Sequence, residues 1–250
     1  MSALVLREDR NGLATITLNR PERLNALSVE MFAELQVHVD SIATDTERIG
    51  LVVLRGAGKS FSSGHDVADI AAGERPPRPH FFAEIVERLA NLPQPVIAAV
   101  RGHCYTGALE LALAGDLIFA SESAKFTDTH AKLALTPIWG MTQRLPRRVG
   151  KSKAFEMLLT GRPYSGAEAL AMGLADICVA DDVFDAELGK LSDAILAQSW
   201  ISYRRYKRLL IETDGMPLAA GLAYEVYRSP GRGPDTAERL AAFLKRKSSA

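Results

Sequence analysis

Apolar positions along the first half of the chain switch between the spacing of strands and the spacing of helices. Leu4–Arg7 and Leu13–Leu18 are short apolar-rich runs separated by Asn11-Gly12, which predicts two strands joined by a turn. Ser28 stands as an N-cap before Met31, Phe32, Leu35, Val39 and Ile42, a spacing that predicts a helix through Ile42. Ile49–Arg55 is a nearly continuous apolar run, ended by Gly56 and Gly58, and reads as a buried strand. A second round follows. Phe81–Asn91 has helical spacing, and Val96–Val100 is an apolar, β-branched strand between Pro95 and Gly102. Gly107–Ala114 reads as a short helix and Leu117–Ala120 as another strand. Strands alternating with helices predict an α/β architecture. The return of short strand, short strand, helix predicts a stacked or spiral version of it rather than an open sheet.

From Lys151 the pattern turns mostly helical, through Ala154–Thr160, Gly166–Met172, Phe184–Gln198, Pro217–Tyr227 and Pro234–Lys247. The expected division is an α/β core over residues 1–195 and a helical region over 196–250. Ala71–His80 is different. Gly73, Pro76, Pro77 and Pro79 exclude a stable helix there. It reads as a surface loop, with a mobile flap beside a site as the alternative.

Composition narrows the class. A chain of 250 residues forms one or two domains and buries a core without disulfides or metals. Lys plus Arg and Asp plus Glu each number 30, and this balance weighs against a general nucleic-acid binder. Cys104 and Cys178 form no disulfide framework and no paired metal motif. The histidines 38, 65, 80, 103 and 130 lack zinc-type spacing, so no metal is expected. The start of the chain carries Arg7, Glu8, Asp9 and Arg10 in place of a secretory core. No window reaches the roughly 18 apolar residues of a membrane span. A cytoplasmic protein is expected.

Several familiar chemical motifs fail. Gly56-Ala57-Gly58-Lys59-Ser60 looks like the end of a phosphate-binding loop, but Val53 occupies the place of its first glycine. Phe61 stands where a dinucleotide fingerprint needs its third glycine. Two features survive. In Phe61-Ser62-Ser63-Gly64-His65-Asp66, the glycine permits an unusual turn with exposed backbone N–H groups, or an ordinary strand-to-loop turn. In Tyr105–Ala114, Glu110 is a lone carboxylate inside an apolar helix. Such a group is either a structural salt-bridge partner or a proton-transfer group whose pKa burial raises. Gly107, about one turn earlier, opens the helix where free N–H groups favour a developing oxyanion.

These two segments, with others in the same order, resemble the crotonase superfamily, the enoyl-CoA hydratase/isomerase family. The other segments include Ile16-Thr17-Leu18-Asn19-Arg20-Pro21, Leu24-Asn25-Ala26-Leu27, Pro95–Gly102 and Asp116. Thr142-Gln143-Arg144-Leu145, Leu159-Thr160-Gly161, Ala167-Glu168-Ala169 and Gly173-Leu174 complete the series. The resemblance implies an α/β fold, a crotonase-like spiral of ββα units with a C-terminal helical trimerisation region, assembled as a homotrimer or a hexamer. It implies a coenzyme A thioester as substrate and no separate cofactor. It places an oxyanion hole at the backbone N–H groups of His65 and Gly107. Coenzyme A contacts are implied near Arg23, Leu24, Ala26, Ser63, Asp66 and Val67, and at Phe243 with the basic run Lys245-Arg246-Lys247.

Hydratases of this family use two glutamates. Glu110 matches the first, and the second falls at His130 within Asp128-Thr129-His130-Ala131-Lys132-Leu133. His130 can substitute as an acid/base, with Asp128 as a further candidate, or it can serve a local structural role. Pro137-Ile138-Trp139-Gly140 replaces a glycine-richer stretch and makes a bulkier pocket wall expected at Trp139. The activity implied is hydration or isomerisation of an enoyl-CoA. The alternatives are another enolate reaction, such as hydrolysis or decarboxylation, or acyl-CoA binding without catalysis.

Overall fold

The computed structural model describes residues 3–248, with side chains through residue 245. Met1 and Ser2 lie outside the described residues, as do the side chains of Arg246 and Lys247 in the basic run. The chain divides into two compact units, one running to Ile195 and the other starting at Leu196.

The first unit begins with the hairpin β1 (Val5–Arg10) and β2 (Leu13–Leu18), paired antiparallel. Asn11 and Gly12 both take positive φ, 51° and 87°, which matches the twist of a tight hairpin. Helix α1 (Val29–Thr44) starts at Ser28, whose side chain accepts the Met31 N–H. Its buried positions are the five that the apolar spacing marks: Met31, Phe32, Leu35, Val39 and Ile42. Strand β3 (Leu51–Gly56) then pairs parallel to β2. After α2 (Val67–Ala71) and α3 (Phe81–Ala90), β4 (Val96–Val100) pairs parallel to β3. All five β4 residues are buried, as an interior parallel strand requires.

Two layers of strands now advance together. The chain moves from β4 to β5 (His103–Tyr105), then into α4 (Gly107–Ala112). The next round gives β6 (Leu117–Ser121), parallel to β4, and β7 (Lys125–Thr127), parallel to β5. Helices α5 (Met141–Val149) and α6 (Lys151–Thr160) follow, then β8 (Tyr164–Ser165), antiparallel to β7. Helix α7 (Gly166–Ala171), β9 (Ile177–Val179), parallel to β6, and α8 (Phe184–Leu196) close this unit. The larger sheet has the order β1-β2-β3-β4-β6-β9 and the smaller β5-β7-β8. Isolated parallel bridges, Ser62 to Cys104 and Leu27 to His65, continue the smaller layer backwards along the chain. Each round of the spiral thus places one segment in each layer, and α4, which follows β5, is wholly buried.

The second unit carries α9 (Trp200–Glu212), α10 (Leu218–Arg228) and α11 (Thr236–Ser248). Leu210, Leu218, Leu222, Val226 and Tyr227 are exposed on it. No helix among the described residues is long and apolar enough to cross a membrane.

Candidate active site

The segment after β3 is fastened by side-chain amide and hydroxyl bonds. Buried Asn25 donates from its amide to the carbonyls of Ala57 and Ser60, at 2.9 and 2.8 Å. The Ser62 hydroxyl donates to the Asn25 carbonyl at 2.7 Å. Leu27 N–H donates to the Gly64 carbonyl, and Asp66 N–H donates to Leu27, each at 2.9 Å. His65 is thereby held in an extended bridge. Gly64 has φ +98°, and a Cβ there would lie 2.5 Å from the Tyr105 carbonyl oxygen. Only glycine allows this approach, which brings the segment beside the start of α4.

Every residue of α4 is buried. Thr106, just before it, has φ 54° and ψ −112°, a costly conformation for a β-branched residue, on the order of 1–3 kcal/mol. It is held there by its N–H to the Thr127 carbonyl at 2.9 Å and by its Oγ1 against Thr129 Oγ1 at 2.6 Å. The Thr129 N–H also donates to Thr106 Oγ1 at 3.1 Å. The start of α4 is therefore tied directly to the loop that carries Asp128 and His130. Gly107 N–H, in the first turn, has no acceptor within the helix by virtue of its position.

Glu110 lies one turn further on and is 1% exposed. Its Oε1 accepts the N–H of Trp139 at 2.8 Å and of Met141 at 3.0 Å. Its Oε2 faces His130 Nε2 at 3.8 Å, too long for a direct hydrogen bond. Burial pushes the Glu110 pKa up, against the two backbone bonds that favour the charged form. His130 Nδ1 meets Asp128 Oδ1 at 2.5 Å, and both residues are buried. A carboxylate on Nδ1 directs the remaining ring nitrogen towards Glu110. The result is a chain of three ionisable side chains, with the carboxyls of Glu110 and Asp128 on the two nitrogens of the His130 ring.

Trp139 forms the adjoining wall. Its ring stacks on Phe82 at 5.1 Å and 28°, and contacts the Phe32 ring at 5.1 Å and the His65 ring at 4.9 Å. A Cβ on Gly107 would stand 2.5 Å from Trp139 Cζ3. The His65 ring, turned to this aromatic group, also pairs through Nε2 with Glu74 Oε2 at 2.7 Å. Glu74 belongs to the irregular segment between α2 and α3, so that segment runs beside the candidate site. Arg78 fastens its other end to Glu84 at 2.6 Å.

The remaining residues marked in the sequence are more dispersed. Ser63 N–H donates to the Leu24 carbonyl at 2.9 Å, which joins two of the expected coenzyme A segments. Arg23, Leu24 and Val67 are exposed, and Ala26 is buried. Asp66 caps α2 by accepting the Ala68 N–H and pairs with Arg20 Nη1 at 2.6 Å. Burial pushes its pKa up, but the Arg20 and Ala68 bonds outweigh it, leaving the carboxyl below its usual range. Its side chain thus has a structural duty. Phe243 is exposed on α11, in the second unit. Thr106, Thr129 and Glu74 carry no signal in the sequence pattern, because their roles rest on contacts between distant segments. Among the described residues, no group of three or more His, Cys, Asp or Glu is placed to hold a metal.

Comparison with known proteins gives a consistent result. The family model described as enoyl-CoA hydratase/isomerase matches residues 8–248. The chain is 33% identical over 257 aligned residues to the 1,2-epoxyphenylacetyl-CoA isomerase of Escherichia coli K12, covering 99% of this chain and 98% of that protein. Its structure is similar to an enoyl-CoA hydratase from Bacillus anthracis, with TM-score 0.92, 32% identity and coverage of 97% and 96% of the two chains. It is also similar to an enoyl-CoA hydratase/carnithine racemase from Magnetospirillum magneticum, with TM-score 0.89, 31% identity and coverage of 98% and 94%.

Proposed function

This chain belongs to the enoyl-CoA hydratase/isomerase family, and from that premise we propose that it is an acyl-CoA enzyme that stabilises a thioester enolate and moves protons with Glu110 and His130. The observation that carries the reading is the buried Glu110 carboxyl, fixed at one oxygen and facing His130 with the other.

The thioester carbonyl oxygen is received by the backbone N–H groups of His65 and Gly107. In other enzymes the loss of one such donor costs about 3 kcal/mol. Hydration of an enoyl-CoA adds water oxygen to the β-carbon and a proton to the α-carbon. The electron pair of the double bond passes through the enolate oxygen on the way. One group takes the proton from water, and the other delivers a proton to carbon. Glu110 suits this work because its raised pKa lets it hold a proton closer to neutral pH. His130, oriented by Asp128, supplies the second acid/base in place of a second glutamate.

Coenzyme A contacts are assigned to Arg23, Leu24, Ala26, Ser63, Asp66 and Val67. The reading includes a cytoplasmic location and a homotrimer or hexamer, and the exposed apolar side chains of α9 and α10 support the assembly. A second reading, double-bond isomerisation by one proton-shuttling group, is favoured by the histidine at position 130. The test is a panel of enoyl- and hydroxyacyl-CoAs in heavy water, read by mass spectrometry. Hydration products support the first reading. Exchange at the α-carbon with a shifted double bond supports the second. Tight thioester binding without turnover leaves an acyl-CoA-binding protein.

A further inference from the structure

Trp139 is held both through its backbone and through its ring. Its N–H donates to Glu110 Oε1 at 2.8 Å, and its carbonyl accepts from Arg144 Nη1 at 2.8 Å. The indole is 4% exposed and stacked on Phe82, with Phe32 and His65 against it. A gate needs a second resting place and a weak hold on the first. Here, swinging the ring out would open a large cavity among three aromatic rings and disturb the loop that fixes Glu110. The ring is a wall. It also stands where the wall matters, because it spans from the His65 ring to the Cα of Gly107.

From this we infer that Trp139 is a specificity-determining residue that limits the substrate to short acyl groups. The inference rests on the acyl-CoA reading above. An acyl chain that leaves a carbonyl held beside Gly107 meets the six-membered ring of the indole almost at once. A chain of two or three carbons beyond the thioester needs the least room beside that face, and each further methylene has to displace the packed ring. One methylene more or less in an apolar pocket is worth about ten-fold or more, and the packed Trp139 ring has little freedom to yield room for it.

The test is calorimetric binding of free coenzyme A, butyryl-CoA and octanoyl-CoA to the full-length protein and to Trp139→Ala and Trp139→Leu. Saturated thioesters are used so that binding is read without turnover. The wild type is expected to bind butyryl-CoA about ten-fold or more tighter than octanoyl-CoA. The variants are expected to reverse that preference while their affinity for free coenzyme A stays unchanged. Trp139→Leu keeps much of the buried volume, so the comparison survives if Trp139→Ala does not fold. Octanoyl-CoA binding to the wild type as tightly as butyryl-CoA overturns the inference, as does a chain-length preference unmoved in the folded variants. If neither thioester binds any better than free coenzyme A, the acyl-CoA reading itself falls, and the wall with it.

Discussion

Nε2 of His130 faces Oε2 of Glu110 at 3.8 Å, while the far end of each side chain is tied down. Glu110 is held by two backbone N–H groups, and His130 is held by Asp128. Neither inner atom satisfies the other, so both remain available to a third group placed between them. This separates the pair from an ordinary buried ion pair, whose partners close to hydrogen-bond distance.

Glu110→Gln keeps an amide oxygen for the N–H groups of Trp139 and Met141 but removes the exchangeable acid. Turnover is expected to fall by about 10²–10⁴-fold with the fold retained. Stability carries a second signature. The Glu110 pKa is raised in the folded chain above its ordinary 4.5, so the folded state binds more protons than the unfolded state above that pH. Wild-type stability relative to Glu110→Gln therefore declines as pH rises from 4.5 through the raised value. Thermal melts of both proteins over a pH series check the sign. A constant difference across the series would show that Glu110 is not shifted.

The Asp128 carboxyl holds Nδ1 of His130. Asp128→Asn is expected to lower kcat by about ten-fold or more while KM changes little, because the imidazole loses its orienting carboxylate. His130→Ala should cost at least as much. Steady-state kinetics with the best substrate of the panel separates the two constants. Full activity in His130→Ala would remove His130 from the mechanism.

Glu74 ties the segment between α2 and α3 to His65. Such a partly exposed side-chain contact contributes about 0.2–1 kcal/mol. Glu74→Ala is therefore expected to speed amide hydrogen exchange over residues 71–75 by about two- to five-fold, since exchange follows the population of the opened segment. Hydrogen exchange read by mass spectrometry measures it. An unchanged rate would mean that Arg78 and the prolines hold the segment without Glu74.

Much of the larger sheet can be read from the chain because its strands are continuous apolar runs. Val96–Val100 is wholly buried, and the five apolar positions of α1 are its buried face. The smaller sheet escapes such reading. Strands β5, β7 and β8 are two or three residues long, too short to show a period. Helix α9 escapes for another reason: Arg204, Arg205, Lys207 and Arg208 crowd its sequence and mask the apolar spacing. At the site, Glu110 is legible as a carboxylate in an apolar run. The strain at Thr106 is not, because a threonine has no local sign of positive φ. The segment 71–80 is legible as irregular, but its link to His65 depends on Glu74 reaching across to another strand layer.

The close approach of Trp139 and Gly107 gives a pair of linked predictions. Gly107→Ala places a methyl group where Cζ3 of Trp139 stands, at 2.5 Å from the new Cβ. Three aromatic neighbours and the Glu110 bond leave the indole little room to retreat. The variant is expected to lose about 1–3 kcal/mol by overpacking. Trp139→Leu alone also destabilises, by removing buried aromatic surface. In the double variant the smaller leucine makes room for the methyl group, so the two losses should not add. Urea unfolding of the wild type, both single variants and the double variant closes the cycle. A coupling of about 0.5–3 kcal/mol in the rescuing direction is expected for residues in contact. Strict additivity would mean that the cost of Gly107→Ala comes from the backbone of α4 and not from the indole.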